Sequence, residues 1–493
     1  MTELQLPLVM PVMILAAWGI LVLLMAPFFR ETGRGLNALV SPWSVSILGV
    51  SFAGWATIRQ WPALGVAAKT AYGLVLVDRL GVFLSVIVLA VGFMTLLFSA
   101  RFLEREGHEQ GEFFALVLFG LAGMVLMLET ANLMMLLIGL EIFSLTLYVL
   151  CGLTRGRVRS IESALKYFLL GAFSSGFLVY GLALLYGAAG SLNLKEISAA
   201  AGGHASPMLY MGLGLVIVGL GFKIAMVPFH QWVPDVYSGA PTNVTAFMAA
   251  ATKTAALGAL IRVLAGAFGE HTTVWVPIIT WIAVATMTVA NLIALAQSNI
   301  KRLLAYSSIA HAGYLLIALV CVPDLGIKAI LFYLASYAFM TVGAFAVAAA
   351  VGGGDLAAEA GYDFITSWAG LGVRRPLLAG AMTLFLLSMA GIPPTGGFLG
   401  KYLIFQAAVT SHQWMLAIVG SLNAVIAAYY YLSVIMTMWF KKPESDAVDA
   451  AGSAPLPWSF AAVVAIAAIA VLYLGLAPGR VLELATGVAT SLI

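Results

Sequence analysis

The stretch Gly221–Thr242, GFKIAMVPFHQWVPDVYSGAPT, decides how this chain folds. It begins inside an apolar run, Leu209–Leu220, long enough to enter a bilayer. Lys223 follows that run, and Pro228 comes five residues later. Proline removes a backbone hydrogen bond and clashes with the preceding turn, so a helix is expected to break there. A break at membrane depth persists only where protein or water satisfies the freed backbone groups. A lysine at that depth costs about 2.5–3.5 kcal/mol to insert. A charge beside a broken helix is how ion transporters build a site.

The rest of the chain agrees with a membrane setting. Of 493 residues, 62% are hydrophobic and 9% charged, which excludes a soluble domain of this size. The net charge of +3 is thinly spread, with no basic block for nucleic acid. Cys151 and Cys321 lack CxxC partners, so iron–sulfur, zinc and haem-attachment motifs are absent and both read as small buried hydrophobes. No GxGxxG or GxxxxGK[ST] follows a strand pattern, so no nucleotide site is expected. The first apolar run lacks a basic leader and reads as an anchor rather than a cleaved signal.

At about 20 apolar residues per crossing, the sequence predicts an all-α polytopic protein of fourteen transmembrane helices. The spans are roughly 7–28, 38–58, 80–100, 112–129, 131–152, 161–185, 207–236, 243–266, 273–297, 302–322, 325–352, 375–407, 413–439 and 457–477. The seventh and twelfth are too long for straight helices, and each contains prolines: Pro228 in one, Pro393 and Pro394 in the other. Apart from 353–374 the loops are short, so no extramembrane domain is expected. Loops after odd-numbered spans carry thirteen Lys and Arg residues, the other side seven, and four lie within spans. The richer side is therefore expected to be cytoplasmic, with both termini on the opposite face.

Spans 4–8 and 9–13 form two blocks of five, and an odd repeat length makes the second block inverted. In each block the fourth span is proline-broken and carries a lysine, Lys223 or Lys401. The second span of each carries a titratable group at mid-depth, Glu141 or His311. The expected division is one transmembrane domain, 1–493, made of helices 1–3 (1–110), a first repeat (111–266), a second repeat (267–440), and a loop with helix 14 (441–493).

Glu141, Lys223, Lys253, His311 and Lys401 fall near one depth, which predicts a polar line along the membrane plane. A proton route needs groups that change charge state cheaply, and histidine and buried lysine both do so. The quieter readings are a static Glu141–Lys223 ion pair and a satisfied core histidine at His311. Lys253 has no obvious carboxylate partner. Glu162 and Lys166, four residues apart at the start of span 6, should pair on one face, as a structural link or as an inlet. Glu129 reads as interfacial. His230 and Asp235 cap backbone groups or border the cytoplasmic mouth.

These residues resemble the antiporter-like subunits of respiratory complex I and of multisubunit cation/proton antiporters. KxxxVPFHxWxPDVYxGAPT is similar to that family's core motif, and its PDVYxGAPT ending looks like the N-type branch more than the L or M types. IGLEIFSL around Glu141, SNIKRLLAYSSIAHAGYLL around His311 and GIPPTGGFLGKYLIF around Lys401 support the same branch. The resemblance implies a proton-translocating membrane subunit of an NADH–quinone oxidoreductase in the bacterial inner membrane. It implies a Glu141–Lys223 pair, Lys253 as central relay, His311 on the way, Lys401 in the far half-channel, and Lys166 as a further intramembrane lysine. It implies membrane-subunit partners, with flavin, iron–sulfur clusters and quinone in other subunits, so neither cofactor nor metal is expected in this chain. A sodium/proton antiporter subunit is the alternative, and a purely architectural subunit is a third reading.

Overall fold

The computed structural model describes residues 6–29, 41–64, 68–71, 73–105, 111–154, 156–202, 206–322, 325–352, 363–442 and 456–492. Arg30, Arg34 and Arg155 of the basic side, and residues 353–362 and 443–455, lie outside the described residues.

The chain is helical almost throughout. α1 (Leu6–Met25), α2 (Pro42–Ala63) and α3 (Arg79–Arg105) come first. A small antiparallel hairpin between α2 and α3 pairs β1 (Lys69–Ala71) with β2 (Val75–Val77), an element the sequence reading did not include. Next come α4 (Gly111–Leu128), α5 (Leu133–Cys151), α6 (Val158–Ala189), α7 (Pro207–Ile224), α8 (Trp232–Gly239) and α9 (Thr242–Ala267). α10 (Thr272–Ala294), α11 (Ile300–Val320), α12 (Leu325–Gly352), α13 (Pro376–Ala390), α14 (Gly396–Thr410), α15 (Trp414–Phe440) and α16 (Trp458–Leu476) complete the apolar helices. The C-terminal helix α17 (Gly479–Leu492) was also not anticipated.

Helix starts follow local chemistry. Asn132, Ser206, Asn299 and Thr395 each cap the first turn of α5, α7, α11 and α14 with a side-chain oxygen, satisfying a backbone N–H that has no helical partner. Twelve helices among the described residues are long and apolar enough to cross a membrane, so the expected count of fourteen is not met by that criterion. The shortfall is at α2, whose 22 residues include Arg59 and Gln60, and at the twelfth span. That span is divided into α13 and α14, each of 15 residues.

The two breaks begin before their prolines. α7 ends at Ala225, in the left-handed region (φ 70°), and Met226 N–H bonds back to Gly221 O at 2.9 Å. α13 ends the same way at Gly391 (φ 87°), with Ile392 N–H to Leu387 O at 3.0 Å. Pro228, Pro393 and Pro394 lie in the unwound links that follow, so they prevent helix from resuming rather than stop it. The links are not left unpaired: Val227 N–H donates to Thr286 Oγ1 (3.0 Å), Trp232 Nε1–H to Phe222 O (3.0 Å) and Gly397 N–H to Ser388 Oγ (3.1 Å). Buried neighbours thus do what water cannot do at that depth.

Apart from positions near their ends such as Gly266 and Arg302, α9 and α11 are buried and α12 nearly so, while α1, α6, α10 and α15 turn wide apolar faces outward. Phe173, Ile418, Leu422 and Val425 are among those outward residues. The polar residues therefore sit in the middle of the bundle, as expected where lipid is the outer solvent.

Candidate functional site

Three lysines are sunk in the bundle: Lys223 on α7, Lys253 on α9 and Lys401 on α14, all at most 4% exposed. Among the described residues none has a carboxylate within ion-pair distance. Each is instead held by neutral groups.

Lys223 Nζ sits in an aromatic box. It lies 5.2–5.6 Å from the ring centres of Tyr167, Tyr148, Phe222 and Phe143. Ring faces attract a cation, and desolvation strengthens that attraction. Among the described residues its hydrogen-bond partner is the Tyr148 hydroxyl at 3.4 Å. The expected direct Glu141–Lys223 pair is not formed. Glu141, half-buried on α5, instead accepts from Ser175 Oγ of α6 at 2.6 Å. The physical reason is helical: Glu141 and Tyr148, seven apart, share a face of α5, and the longer phenol reaches the lysine.

Lys253 is placed by α9's irregular course. A π-helical stretch, Met248–Thr252, immediately precedes it, and such bulges re-aim side chains. Its ammonium donates to the Ser308 carbonyl and to Ser308 Oγ (2.6 Å), and lies 5.2 Å from the Tyr337 ring centre. Ser308 Oγ also bonds the Tyr337 hydroxyl at 2.7 Å.

One turn on from Ser308, His311 uses both ring nitrogens: Nδ1 meets Tyr333 OH at 2.5 Å and Nε2 meets Tyr431 OH at 3.2 Å. Tyr431 OH bonds Ser307 Oγ as well. The neighbouring Tyr430 continues the polar path to Asn291 (3.0 Å), which donates to Asn423 (3.0 Å). On the other side, the Tyr314 ring lies tilted 6.1 Å from that of His311 and 4.7 Å beneath Lys401 Nζ.

Lys401 closes the second break. Its ammonium donates to the last carbonyls of α13, Met389 O (2.8 Å) and Ala390 O (3.1 Å), where the helix dipole is negative. Lys401 thus lies on the arm after its break, whereas Lys223 lies on the arm before the other. Tyr337, bonded to Ser308 of the Lys253 site, and Tyr314, beneath Lys401, both have rings beside that of His311. Between Lys223 and that group stand aromatic rings and the Tyr167 hydroxyl, which is buried without a partner. Such a buried orphan is the place for an ordered water.

A polar cavity of about 470 Å³ opens at the end of α8. Lys166 there bonds Glu162 (2.7 Å) and Asp235 (2.8 Å), and Asp235 also holds Arg302 (2.8 Å). The Glu162–Lys166 pair forms as expected, and Lys166, 41% exposed, lines this cavity. Asp235 borders this mouth; His230 does not line it. Arg302 and Ser308 are six residues apart on α11, so the cavity and Lys253's partner are separated by about 9 Å of helix rise. No group of metal-ligating side chains occurs among the described residues.

The tyrosines and Ser308 are what sequence reasoning missed. A signal existed: Ser308 and His311 are three apart and Tyr333 and Tyr337 four apart, so each pair shares a helix face. Their partners on other helices carried none.

Comparison with known proteins places this architecture. The family described as NADH:quinone oxidoreductase/Mrp antiporter, TM, matches residues 130–427. A protein of Trichlorobacter lovleyi named NADH-quinone oxidoreductase subunit N is 41% identical over 482 residues, 97% of this chain and 95% of that protein. A chain of respiratory complex I from Thermus thermophilus superposes with TM-score 0.77 and 35% identity, covering 96% of this chain and 98% of that one. A chain of the Mrp complex from Dietzia shares the fold, with TM-score 0.85 at 21% identity over 98% of this chain and 97% of its own. With a family match over more than half its length and full-length relatives at about 40% identity, the chain belongs to the antiporter-like membrane subunits of NADH–quinone oxidoreductase, in the subunit N branch.

Proposed function

We propose that this chain translocates protons across the bacterial inner membrane as part of an NADH–quinone oxidoreductase, driven by redox chemistry in other subunits. The observation that carries the reading is a buried run of titratable and hydroxyl groups: Lys253 bonds Ser308, Ser308 bonds Tyr337, the Tyr337 and Tyr314 rings lie 5.4 and 6.1 Å from the His311 ring, and Lys401 Nζ lies over Tyr314, with no carboxylate at ion-pair distance from these lysines among the described residues. A static charge in a bilayer is paired; lysines held by neutral groups are free to exist with or without their proton.

In this reading protons reach Lys253 from the cavity of Glu162, Lys166, Asp235 and Arg302, the only steps needed being along α11. Lys223, in its aromatic box, responds to Glu141 through the field and passes charge state to Lys253 by way of water near Tyr167. His311 shuttles to Lys401 and the second half-channel. Residues 1–110 make helices 1–3, 111–266 the first repeat, 267–440 the inverted second repeat, and 441–493 a loop and helix 14. The cavity faces the cytoplasm and both termini the periplasm. Flavin, iron–sulfur clusters and quinone belong to partner subunits. Moving one charge against 100 mV costs about 2.3 kcal/mol, so this chain cannot drive the transfer alone. Full-length relatives near 40% identity favour this over a sodium/proton antiporter, whose likeness extends to the fold.

The test is proton pumping by the intact complex in proteoliposomes with Lys253→Met. The expected result is lost pumping at normal complex content. Wild-type pumping would sink the reading.

A further inference from the structure

Among the buried carboxyls of the described residues that the mechanism above does not use, Asp78 and Asp363 are held in ion pairs and Glu129 is not. Glu129 follows directly on α4, and although its position reads as interfacial it is 1% exposed. Its Oε1 accepts from Ser85 Oγ at 3.0 Å, while Oε2 is buried with no partner among the described residues. The charged groups that act on it are Arg262 and Asp78. These two form a bidentate pair at 2.6 and 2.8 Å, and Arg262 Nε also donates to Leu128 O at 2.8 Å. Asp78 Oδ1 in turn accepts Gly81 N–H at 2.7 Å, at the start of α3.

The placement matters. Ser238 and Gly239 of the charged cavity lie just before α9 begins, and Arg262 is twenty residues into α9. Twenty residues of helix rise about 30 Å, the thickness of the hydrocarbon core. Glu129 therefore lies at the opposite end of the first five-helix block from the inlet. Lys253 and Arg262 are nine residues apart on the same helix, about 14 Å.

A lone structural carboxyl would have both oxygens satisfied, or would be replaced by an apolar residue at no loss. An orphaned oxygen beside an already occupied guanidinium instead leaves room for a proton or a water.

We propose that Glu129 is an exchangeable proton-binding site at the outer end of the first block, from which protons leave, with the Asp78–Arg262 pair setting whether it holds or releases. This rests on the proton-translocating reading. In the release step the carboxyl O–H breaks, the proton goes to a water on the outer face, and the carboxylate remains on Ser85 Oγ beside Arg262. It is reloaded with one proton by water relayed from the Lys253 side.

The experiment uses the intact complex in proteoliposomes carrying Glu129→Gln, Glu129→Asp or Lys253→Met. Two quantities are read: infrared difference spectra over a pH titration, and protons released per NADH oxidised. The expected wild-type spectrum has a titrating carboxyl band that is missing in Glu129→Gln and displaced in Glu129→Asp. The proton yield should fall in Glu129→Gln and lie between the two in Glu129→Asp. If the glutamine variant does not assemble, the aspartate variant carries both readouts. A spectrum with no band sensitive to Glu129, or an undiminished yield in the variants, overturns the proposal. Lost pumping in Lys253→Met with normal yield in Glu129→Gln removes this station alone; normal pumping in both removes the wider reading.

Discussion

At the scale of the residue, function turns on how each lysine is held. Lys253 donates to both oxygens of Ser308 and has no carboxylate near it. Arginine keeps its charge at any working pH and cannot pass a proton on. Lys253→Arg should therefore lose pumping as fully as Lys253→Met, measured as acidification in proteoliposomes at matched complex content. Rescue by arginine would mean that the site needs charge alone. Lys223 depends on one hydroxyl, that of Tyr148. A hydrogen bond to a charged group is worth about 1.5–3 kcal/mol, so Tyr148→Phe, which keeps the ring, should slow pumping about tenfold. An unaffected rate would show that the aromatic box alone positions the ammonium.

At the scale of the element, the breaks are set by left-handed caps and by neighbours that satisfy the links. Pro228→Ala should leave α7 ending at Ala225, because Val227 N–H is already taken by Thr286 and Phe222 O by Trp232. Crosslinking distances across the break should be unchanged; a straightened helix would return the decisive role to the proline. Gly391 is the stricter position. It has φ 87°, and an added Cβ would meet Lys401 Cδ at 2.9 Å. Gly391→Ala should cost about 1–2 kcal/mol for the left-handed backbone, besides displacing Lys401. Gly214 on α7 has open space around it, and alanine there should gain roughly 0.5–1 kcal/mol. The difference in thermal stability of the two variants tests the argument.

At the scale of the whole molecule, two clusters of charge mark the two ends of the first block. The inlet cluster is open: Lys166, Asp235 and Arg302 are each 35–41% exposed. Exposed pairs of this kind contribute about 0–1 kcal/mol. The outer pair is closed, with Arg262 4% and Asp78 11% exposed. It ties the start of α3 and the end of α4 to the end of α9. Removing one partner of a buried pair costs about 3–5 kcal/mol, while replacing both with apolar residues is often tolerated. Arg262→Leu should thus lower the unfolding temperature of the complex far more than Asp235→Asn does. Adding Asp78→Leu to Arg262→Leu should recover most of the loss; a double variant as unstable as the single would show that the Arg262–Leu128 bond dominates.

The sequence alone determined that the chain is a bundle of membrane helices, where two of them break, and which ionisable residues lie within them. Each of those facts is local: apolar run length, a Lys and Pro within one short stretch, a charge inside a span. It also brought Lys253, His311 and Lys401 to one depth, because helix rise is fixed. What it did not determine was contact across helices. Glu141 and Lys223 share a depth, yet Ser175 takes the carboxylate and Tyr148 the ammonium. Glu129 reads as interfacial, but packing of α3, α4 and α9 buries it beside Arg262. Depth follows from the count of residues along one helix, whereas a partner is chosen by how neighbouring helices rotate against each other, and that rotation is settled only when all the faces pack together.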